Sequence, residues 1–221
     1  MFGTSIKTLT KDQETHWDQT YTAQPGLYGE EPSAPAKYAA ELLRKHGLSR
    51  LLELGAGQGR DTLYFAGEGF QVEALDYSLT GLEELESKAR ARHLLSGISL
   101  ARHDVRHPLP FANEVLDACY SHMLFNMALT TEELRFLSRE IRRVLKPGGL
   151  CVYTARNTAD AHYGAGVHRG EDMYETDGFV VHFFSREKVE ALAAGFSLVD
   201  IAECEEGALP RRLFRVTLLK V

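Results

Sequence analysis

Hydrophobic residues along the chain follow two alternating patterns. Short continuous runs stand at 50–54 (RLLEL), 70–75 (FQVEAL) and 150–154 (LCVYT), and each predicts a buried strand. Between such runs the apolar residues recur three and four positions apart, most clearly over 134–145, which predicts amphipathic helices. Strands that alternate with helices predict βαβ units and a mostly parallel sheet.

Capping residues predict where the helices begin and end. Thr130 and Glu133 have the spacing of a capping box, so a helix is expected to start there. The sequence Pro-Gly-Gly at 147–149 predicts the end of that helix. Shorter apolar runs at 98–101 and 115–120 predict two further strands.

The end of the chain has a different pattern. Apolar runs at 196–201 and 213–219 predict two strands, and the residues between them show no helical spacing. A connection without a helix suits an antiparallel pair better than a crossover. The sequence therefore predicts an α/β fold, with a parallel sheet that ends in an antiparallel hairpin. Residues 1–31 and 155–184 show neither period, and we expect them to be irregular.

Composition places the chain among ordinary globular proteins. It has 221 residues, of which 44% are hydrophobic and 25% charged, which fits a single domain. The net charge of −6 argues against nucleic acid or anionic membrane as a partner, because both attract clustered Lys and Arg. No apolar run approaches the roughly 20 residues that span a bilayer.

The cysteines and the first residues bear on the cellular compartment. Cys119, Cys151 and Cys204 are odd in number and lie in apolar runs, so we expect reduced core cysteines. No CxxC pair occurs, and no histidine pair of residues 155–184 has helical zinc spacing, so no metal site is expected. The N-terminus lacks the apolar region of a secretory signal. These features favour a cytoplasmic protein.

A glycine-rich segment follows the first predicted strand. Gly55, Gly57 and Gly59 stand between that strand and a helix, where open α/β sheets bind ligands and where glycine lets the backbone approach them. A dinucleotide fingerprint would need glycine at position 60, which is Arg60. Asp76 ends the next strand, where a carboxylate can accept both hydroxyls of a ribose.

These motifs together resemble a known family. The segments Glu53–Gly59 and Arg143–Gly149, with Asp76 and Asp104, are similar to the ordered motifs of class I S-adenosylmethionine-dependent methyltransferases. The resemblance implies a Rossmann-like three-layer αβα sandwich with a seven-stranded sheet, S-adenosylmethionine as cofactor, and a small-molecule methyl acceptor. The run from Leu51 also resembles the tellurite-resistance and thiopurine methyltransferase branch, which implies a soft sulfur, selenium or tellurium nucleophile.

The resemblance also implies roles for individual residues. Asp76 would bind the ribose hydroxyls with Tyr77 near the adenine, and Glu53 would organise the glycine loop and face the cofactor's ammonium group. Ser121 would lie beside the methionine moiety. The remaining implied cofactor contacts are Gly55, Ala56, Gly57, Gly59, Asp104, Val105 and Tyr21.

The acceptor side is expected in the segments outside the family motifs. Residues 155–184 form a long insert in which Arg156 and His168 suit a polar or anionic acceptor, although a solvated loop is the alternative. His122 is a candidate general base or a structural histidine. Residues 1–31, with Trp17 and Tyr21, form either a lid over the cofactor or a hydrophobic anchor on the sheet.

Two other functions fit the same sequence. The chain could bind S-adenosylmethionine without catalysis, as a sensor or as the support of a partner subunit. It could also be a nicotinamide-dependent oxidoreductase, although Arg60 in place of the third glycine argues against that.

Overall fold

The computed structural model describes residues 6–207 and 211–221, and for residues 6–12 it describes the backbone alone. Most of the chain alternates between strand and helix, as the sequence predicts. The helices are α1 Ile6–Ala23, α2 Ala34–Lys45, α3 Arg60–Gly67, α4 Leu79–Ala91, α5 Thr131–Val144 and α6 Arg186–Leu192. The strands are β1 Arg50–Leu54, β2 Gln71–Asp76, β3 Ile98–Arg102, β4 Leu116–Ser121, β5 Leu145–Arg156, β6 Val167–Gly170, β7 Met173–Thr176, β8 Phe179–His182, β9 Phe196–Glu206 and β10 Arg211–Lys220.

The central sheet has seven strands in the order β3-β2-β1-β4-β5-β10-β9. The first five strands run parallel, and β10 is antiparallel to both β5 and β9. The predicted fold class, an α/β sheet with a terminal antiparallel hairpin, is confirmed. Because β1, β2 and β4 are parallel neighbours, their carboxyl ends meet at one edge of the sheet, where the glycine segment lies.

Two hydrophobic clusters cover the two faces of the sheet. One face packs against α5 and α6 through Leu137, Ile141 and Leu192. The other packs against α2, α3 and α4 through Phe65 and Leu85. Helices on both faces bury most of β1 and β4 and the second half of β5, and this burial holds the carboxyl edge of the sheet in place.

The predicted capping box is present at the start of α5. Glu133 N–H donates to the Thr130 hydroxyl at 3.2 Å, and Thr130 N–H donates to the Glu133 carboxylate at 2.8 Å. The helix ends earlier than predicted, because β5 begins at Leu145 and residues 147–149 lie within it. Gly149 is needed there because a Cβ would lie 2.8 Å from the Lys146 carbonyl oxygen.

Two segments are more regular than predicted. The expectation of an irregular N-terminus was wrong, because Ile6–Ala23 is a helix; residues 1–5 lie outside the described residues. The expectation of an irregular insert over 155–184 was also wrong, because β6, β7 and β8 form a separate three-stranded antiparallel sheet. Each of these strands has only four residues, which is too short for a clear alternation in the sequence.

Candidate functional site

The glycine loop leaves β1 with a backbone that favours glycine. Gly55, Gly57 and Gly59 have φ values of 77°, 51° and 84°, all in the left-handed region. Gly55 N–H donates to the Leu75 carbonyl at 2.8 Å, and Gly57 N–H donates to the Asp76 carboxylate at 2.8 Å. The loop is therefore fixed against the end of β2.

Two buried carboxyl groups flank this loop. Burial, opposed by hydrogen bonds from the Ser78 and Gly57 backbone, raises the pKa of Asp76 to about 6. Burial, helped by the charge of Asp61, raises the pKa of Glu53 to about 8, although the Thr62 hydroxyl donates to it at 2.6 Å. At neutral pH Glu53 is therefore mostly protonated, and Asp76 is mostly ionised.

One cavity joins the glycine loop to the ends of β2 and β4. It encloses about 850 Å³, counting the open mouth. Aromatic and methionine side chains form much of its wall, and charged groups gather at one end. Its lining residues are Trp17, Tyr21, Tyr28, Gly29, Glu53, Gly55, Ala56, Gly57, Gln58, Gly59, Arg60, Asp61, Asp76, Tyr77, His122, Met123, Leu124, Met127 and Glu206.

Helix α1 covers the glycine loop from the solvent side. Tyr21 is only 7% exposed, and its hydroxyl lies 2.8 Å from where a Cβ on Gly57 would be. Trp17 packs between Tyr21 and Phe179 of β8, with ring centroids 5.3 and 4.9 Å away. The Gln13 side chain donates to the Gly178 carbonyl at 2.6 Å, which attaches α1 to the small sheet.

Helix α1 also caps α4. The Asp18 carboxylate accepts from the Ser78 hydroxyl at 2.5 Å and from Thr80 N–H at 3.3 Å. Ser78 is itself the N-cap residue of α4 and accepts from Gly81 N–H at 3.1 Å. A carboxylate at this position also complements the positive end of the helix dipole.

The segment after α1 is tied to the same loop. Gly26 N–H donates to Glu84 and Leu27 N–H donates to the side-chain oxygen of Gln58, both at 2.9 Å. Gln58 in turn donates to Glu84 at 2.7 Å. This network holds Tyr28 and Gly29 at the cavity.

Three charged or titratable side chains meet at one end of the cavity. Glu206, at the end of β9, lies with one oxygen 2.6 Å from His122 Nε2 and with the other 3.1 Å from a guanidinium nitrogen of Arg60. The Thr154 hydroxyl lies 2.8 Å from His122 Nδ1 and also accepts from Met123 N–H. Both ring nitrogens of His122 therefore have protein partners.

The charge of Glu206 is set by these neighbours. Burial alone would raise the pKa of this carboxyl, but the hydrogen bond from His122 and the charge of Arg60 outweigh burial and hold the pKa at about 2. Glu206 is therefore ionised at neutral pH.

Several of the residues predicted for the cofactor come together in this cavity. Its lining includes the predicted cofactor contacts Tyr21, Glu53, Gly55, Ala56, Gly57, Gly59, Asp76 and Tyr77, and also the predicted catalytic residue His122. Three others lie outside the lining. Ser121 donates to the Leu54 carbonyl, Asp104 pairs with Arg106, and Val105 is 5% exposed within the core.

The two acceptor residues predicted in the insert also lie outside the cavity lining. Arg156 is 8% exposed, donates to the Asp160 carboxylate at 2.5 and 3.0 Å, and lies over the Phe183 ring. This position favours a structural role for Arg156. His168 is exposed on β6, with its ring 5.0 Å from Tyr174. The small sheet contacts α1 instead, through Phe179.

Sequence reasoning missed Glu206 as a site residue. It follows Glu203 and Glu205, both exposed, and nothing in their residue type separates the three. The alternation of a strand places Glu206 on the same side as Cys204, away from those two, and this was the signal available. Its partners on α3 and β4 are more than 80 positions away in the chain.

Two searches of the described residues were negative. No described helix is both long enough and apolar enough to cross a membrane. Within 6–207 and 211–221, no three His, Cys, Asp or Glu side chains are grouped as metal ligands.

Comparison with known proteins agrees with this geometry. Residues 52–153 match the family model of a methyltransferase domain. Malonyl-[acyl-carrier protein] O-methyltransferase of Salmonella typhimurium is 32% identical over 114 residues, which are 51% of this chain and 41% of that protein. The chain thus matches less than half the length of this curated relative.

Solved structures share the fold over a greater length. The 1,6-didemethyltoxoflavin-N1-methyltransferase of Burkholderia thailandensis, solved with S-adenosylhomocysteine, aligns with a TM-score of 0.76 at 18% identity, covering 99% of this chain and 91% of that one. TehB of Haemophilus influenzae aligns with a TM-score of 0.63 at 17% identity, covering 82% and 60%. The chain therefore shares the fold of these solved structures, and its residues 52–153 resemble a methyltransferase domain.

Proposed function

We propose that the protein transfers the methyl group of S-adenosylmethionine to a small-molecule acceptor held beside His122 and Glu206. The observation that carries this proposal is the single cavity that joins the glycine loop and Asp76 to that polar pair. A non-catalytic binding module would need the first part alone. An enzyme needs a second region, next to the cofactor, where an acceptor can be aligned.

The residues present fit the cofactor. A Cβ at Gly57 would lie 2.8 Å from the Tyr21 hydroxyl, so glycine is needed where the loop borders the cavity. Each Asp76 oxygen accepts one backbone N–H and keeps a lone pair for a ribose hydroxyl. Glu53, when ionised, would pair with the ammonium group, and Tyr77 lines the cavity next to Asp76. When bound, the cofactor supplies an electrophilic methyl group on a positively charged sulfur.

The chain's own contribution is then mainly alignment and exclusion of water. Alignment of two reactants can supply about 7–11 kcal/mol of a barrier. Trp17 and Tyr21 on α1 cover the cavity as a lid, and Tyr28 forms part of the rim. Gln13 fastens this lid to the small sheet. Its side chain donates to the carbonyl of Gly178, between β7 and β8, and accepts from Val180 N–H.

His122 is the predicted catalytic residue that lines the cavity. A hydroxyl or amine acceptor must lose a proton on methylation, and we assign that proton to His122, whose positive ring Glu206 would stabilise. Proton transfer requires the acceptor to displace one present partner of the ring, because Glu206 and Thr154 engage both nitrogens. A soft sulfur, selenium or tellurium nucleophile, the narrower expectation, would need no base.

Release of S-adenosylhomocysteine tests the proposal. The protein is incubated with S-adenosylmethionine and separate phenols, amines, carboxylates, thiols, selenide and tellurite, and the product is quantified by mass spectrometry. We expect release with at least one class. Cofactor binding without release from any class would instead support the non-catalytic module.

The variant His122→Gln then separates the acceptor classes. With a protic acceptor, kcat is expected to fall about 10²–10⁴-fold while cofactor affinity is retained. With a soft nucleophile, kcat should change little. The matched control is His93→Gln, an exposed histidine after α4.

A further inference from the structure

The charged end of the cavity has a consequence for the acceptor's charge. Arg60 is the one arginine or lysine among the described residues that line the cavity. It begins α3, directly after the glycine loop, and its side chain is 16% exposed. A free guanidinium at this position would be a ready partner for a carboxylate or an oxyanion.

Arg60 is not free. One guanidinium nitrogen donates to Glu206 at 3.1 Å, and Nε lies 3.5 Å from an oxygen of Asp61. Asp61 is fixed in turn, because Ser33 and Tyr120 donate to it at 2.7–2.9 Å. Two carboxylates therefore surround one cation, and this wall of the cavity carries no net positive charge.

Both ring nitrogens of the histidine in the same wall face protein oxygens. His122 Nε2 faces Glu206 at 2.6 Å, and Nδ1 faces Thr154 at 2.8 Å. Glu53, farther in, is neutral or negative at every pH. An anionic acceptor would therefore meet the Glu206 carboxylate next to a cation that is already paired with two carboxylates.

We propose that Glu206 determines the acceptor's charge: it neutralises Arg60, excludes anionic acceptors, and admits neutral or cationic ones that carry an O–H or N–H. This inference rests on the proposed function, since it concerns the acceptor end of the same cavity. The carboxylate keeps lone pairs that such a donor can use. The charge of Arg211 is close to Tyr28, although Arg211 does not line the cavity. The experiment therefore needs a control for this second positive charge.

Titration calorimetry with matched probes tests the inference. Protein saturated with S-adenosylhomocysteine is titrated with monomethyl malonate, which has one carboxylate, and with dimethyl malonate, which is neutral and similar in shape. Wild type is expected to bind the anion at least tenfold more weakly than Glu206→Gln, which removes one of the two carboxylates beside Arg60. The neutral ester should show no comparable gain.

Three further variants make the result specific. Glu203→Gln removes the same charge from an exposed position of β9 and should behave as wild type. Adding Arg60→Gln to Glu206→Gln should abolish the gain, whereas adding Arg211→Gln should not. Glu206→Ala removes the same charge and must reproduce the gain, which guards against a defect peculiar to the amide.

Any of three outcomes overturns the inference: wild type binds the anion as tightly as Glu206→Gln, Glu206→Gln gains no more than Glu203→Gln, or the gain survives loss of Arg60. The titration needs no turnover. Failure to gain anion binding in an active methyltransferase therefore refutes this inference alone, whereas absence of S-adenosylhomocysteine release from every acceptor refutes the proposed function alone.

Discussion

Replacing Glu53 by glutamine is expected to stabilise the unliganded protein above neutral pH. Glu53 is 3% exposed, and burial raises its pKa from 4.5 to about 8. The folded protein thus keeps a proton that the unfolded chain releases. Between pH 4.5 and 8 the free energy of unfolding must fall as pH rises, because the folded state binds more protons.

The size of the effect follows from the same pKa values. Each pH unit in that window costs about 1.4 kcal/mol, so the loss reaches roughly 3 kcal/mol at pH 7 and about 5 kcal/mol at pH 8. Glutamine is close in shape, stays neutral, and can accept the hydrogen bond from Thr62. Glu53→Gln should therefore exceed wild type by about 3–5 kcal/mol at pH 8 and match it near pH 4.5.

Denaturation in urea at half-unit steps from pH 4.5 to 8 measures this difference. Asp76, whose pKa is raised to about 6, remains in the variant, so a shallower slope should persist below pH 6. Glu41→Gln, on the exposed face of α2, is the matched control and should keep the slope of wild type. A variant that retains the wild-type slope between pH 6 and 8, or that is less stable throughout, would refute the reasoning.

Asp76→Ala is expected to weaken S-adenosylmethionine binding by about 1.5–3 kcal/mol, the value of hydrogen bonds to a charged group, and calorimetry on folded protein would show unchanged affinity if the assignment is wrong. Gly57→Val should abolish binding without unfolding, because its Cβ would lie 2.8 Å from the Tyr21 hydroxyl at a φ of 51°, whereas Gly67→Ala should bind normally. Arg156→Ala should lower stability by about 3–5 kcal/mol, since it leaves a buried carboxylate unpaired, with cofactor affinity unchanged. Full stability with lost acceptor turnover would instead assign Arg156 to the acceptor site.

The parallel core was predictable because its signals are local. The apolar strand β1, the glycines that follow it and the aspartate at the end of β2 lie within about 25 positions of one another. Each can therefore be interpreted from its neighbours in the sequence. The terminal hairpin was predictable for the same reason, from a connection that lacks helical spacing. β1 and β10 each bury apolar residues, and burial is what the sequence pattern reports.

The acceptor end was not predictable because its parts come from distant elements. Arg60, His122 and Glu206 lie on α3, at the end of β4 and at the end of β9, and meet only when the sheet has formed. Helix α1 was missed because its apolar residues form only a weak stripe along the helix, and its contacts are aromatic edges on β8. Arg156 and His168 suggested an acceptor site in the insert, because these residue types suit a polar or anionic acceptor. The structure instead places Arg156 in a buried ion pair with Asp160.

The contact of Asp18 with the start of α4 couples the position of α1 to the protection of the first turn of α4. If α1 acts as the proposed lid and leaves the cavity, the Thr80 N–H loses its Asp18 acceptor and becomes exchangeable with solvent. The Thr80 amide would therefore report lid opening. Its hydrogen-exchange rate, measured with and without cofactor, would give the free energy of opening, with no label attached to α1.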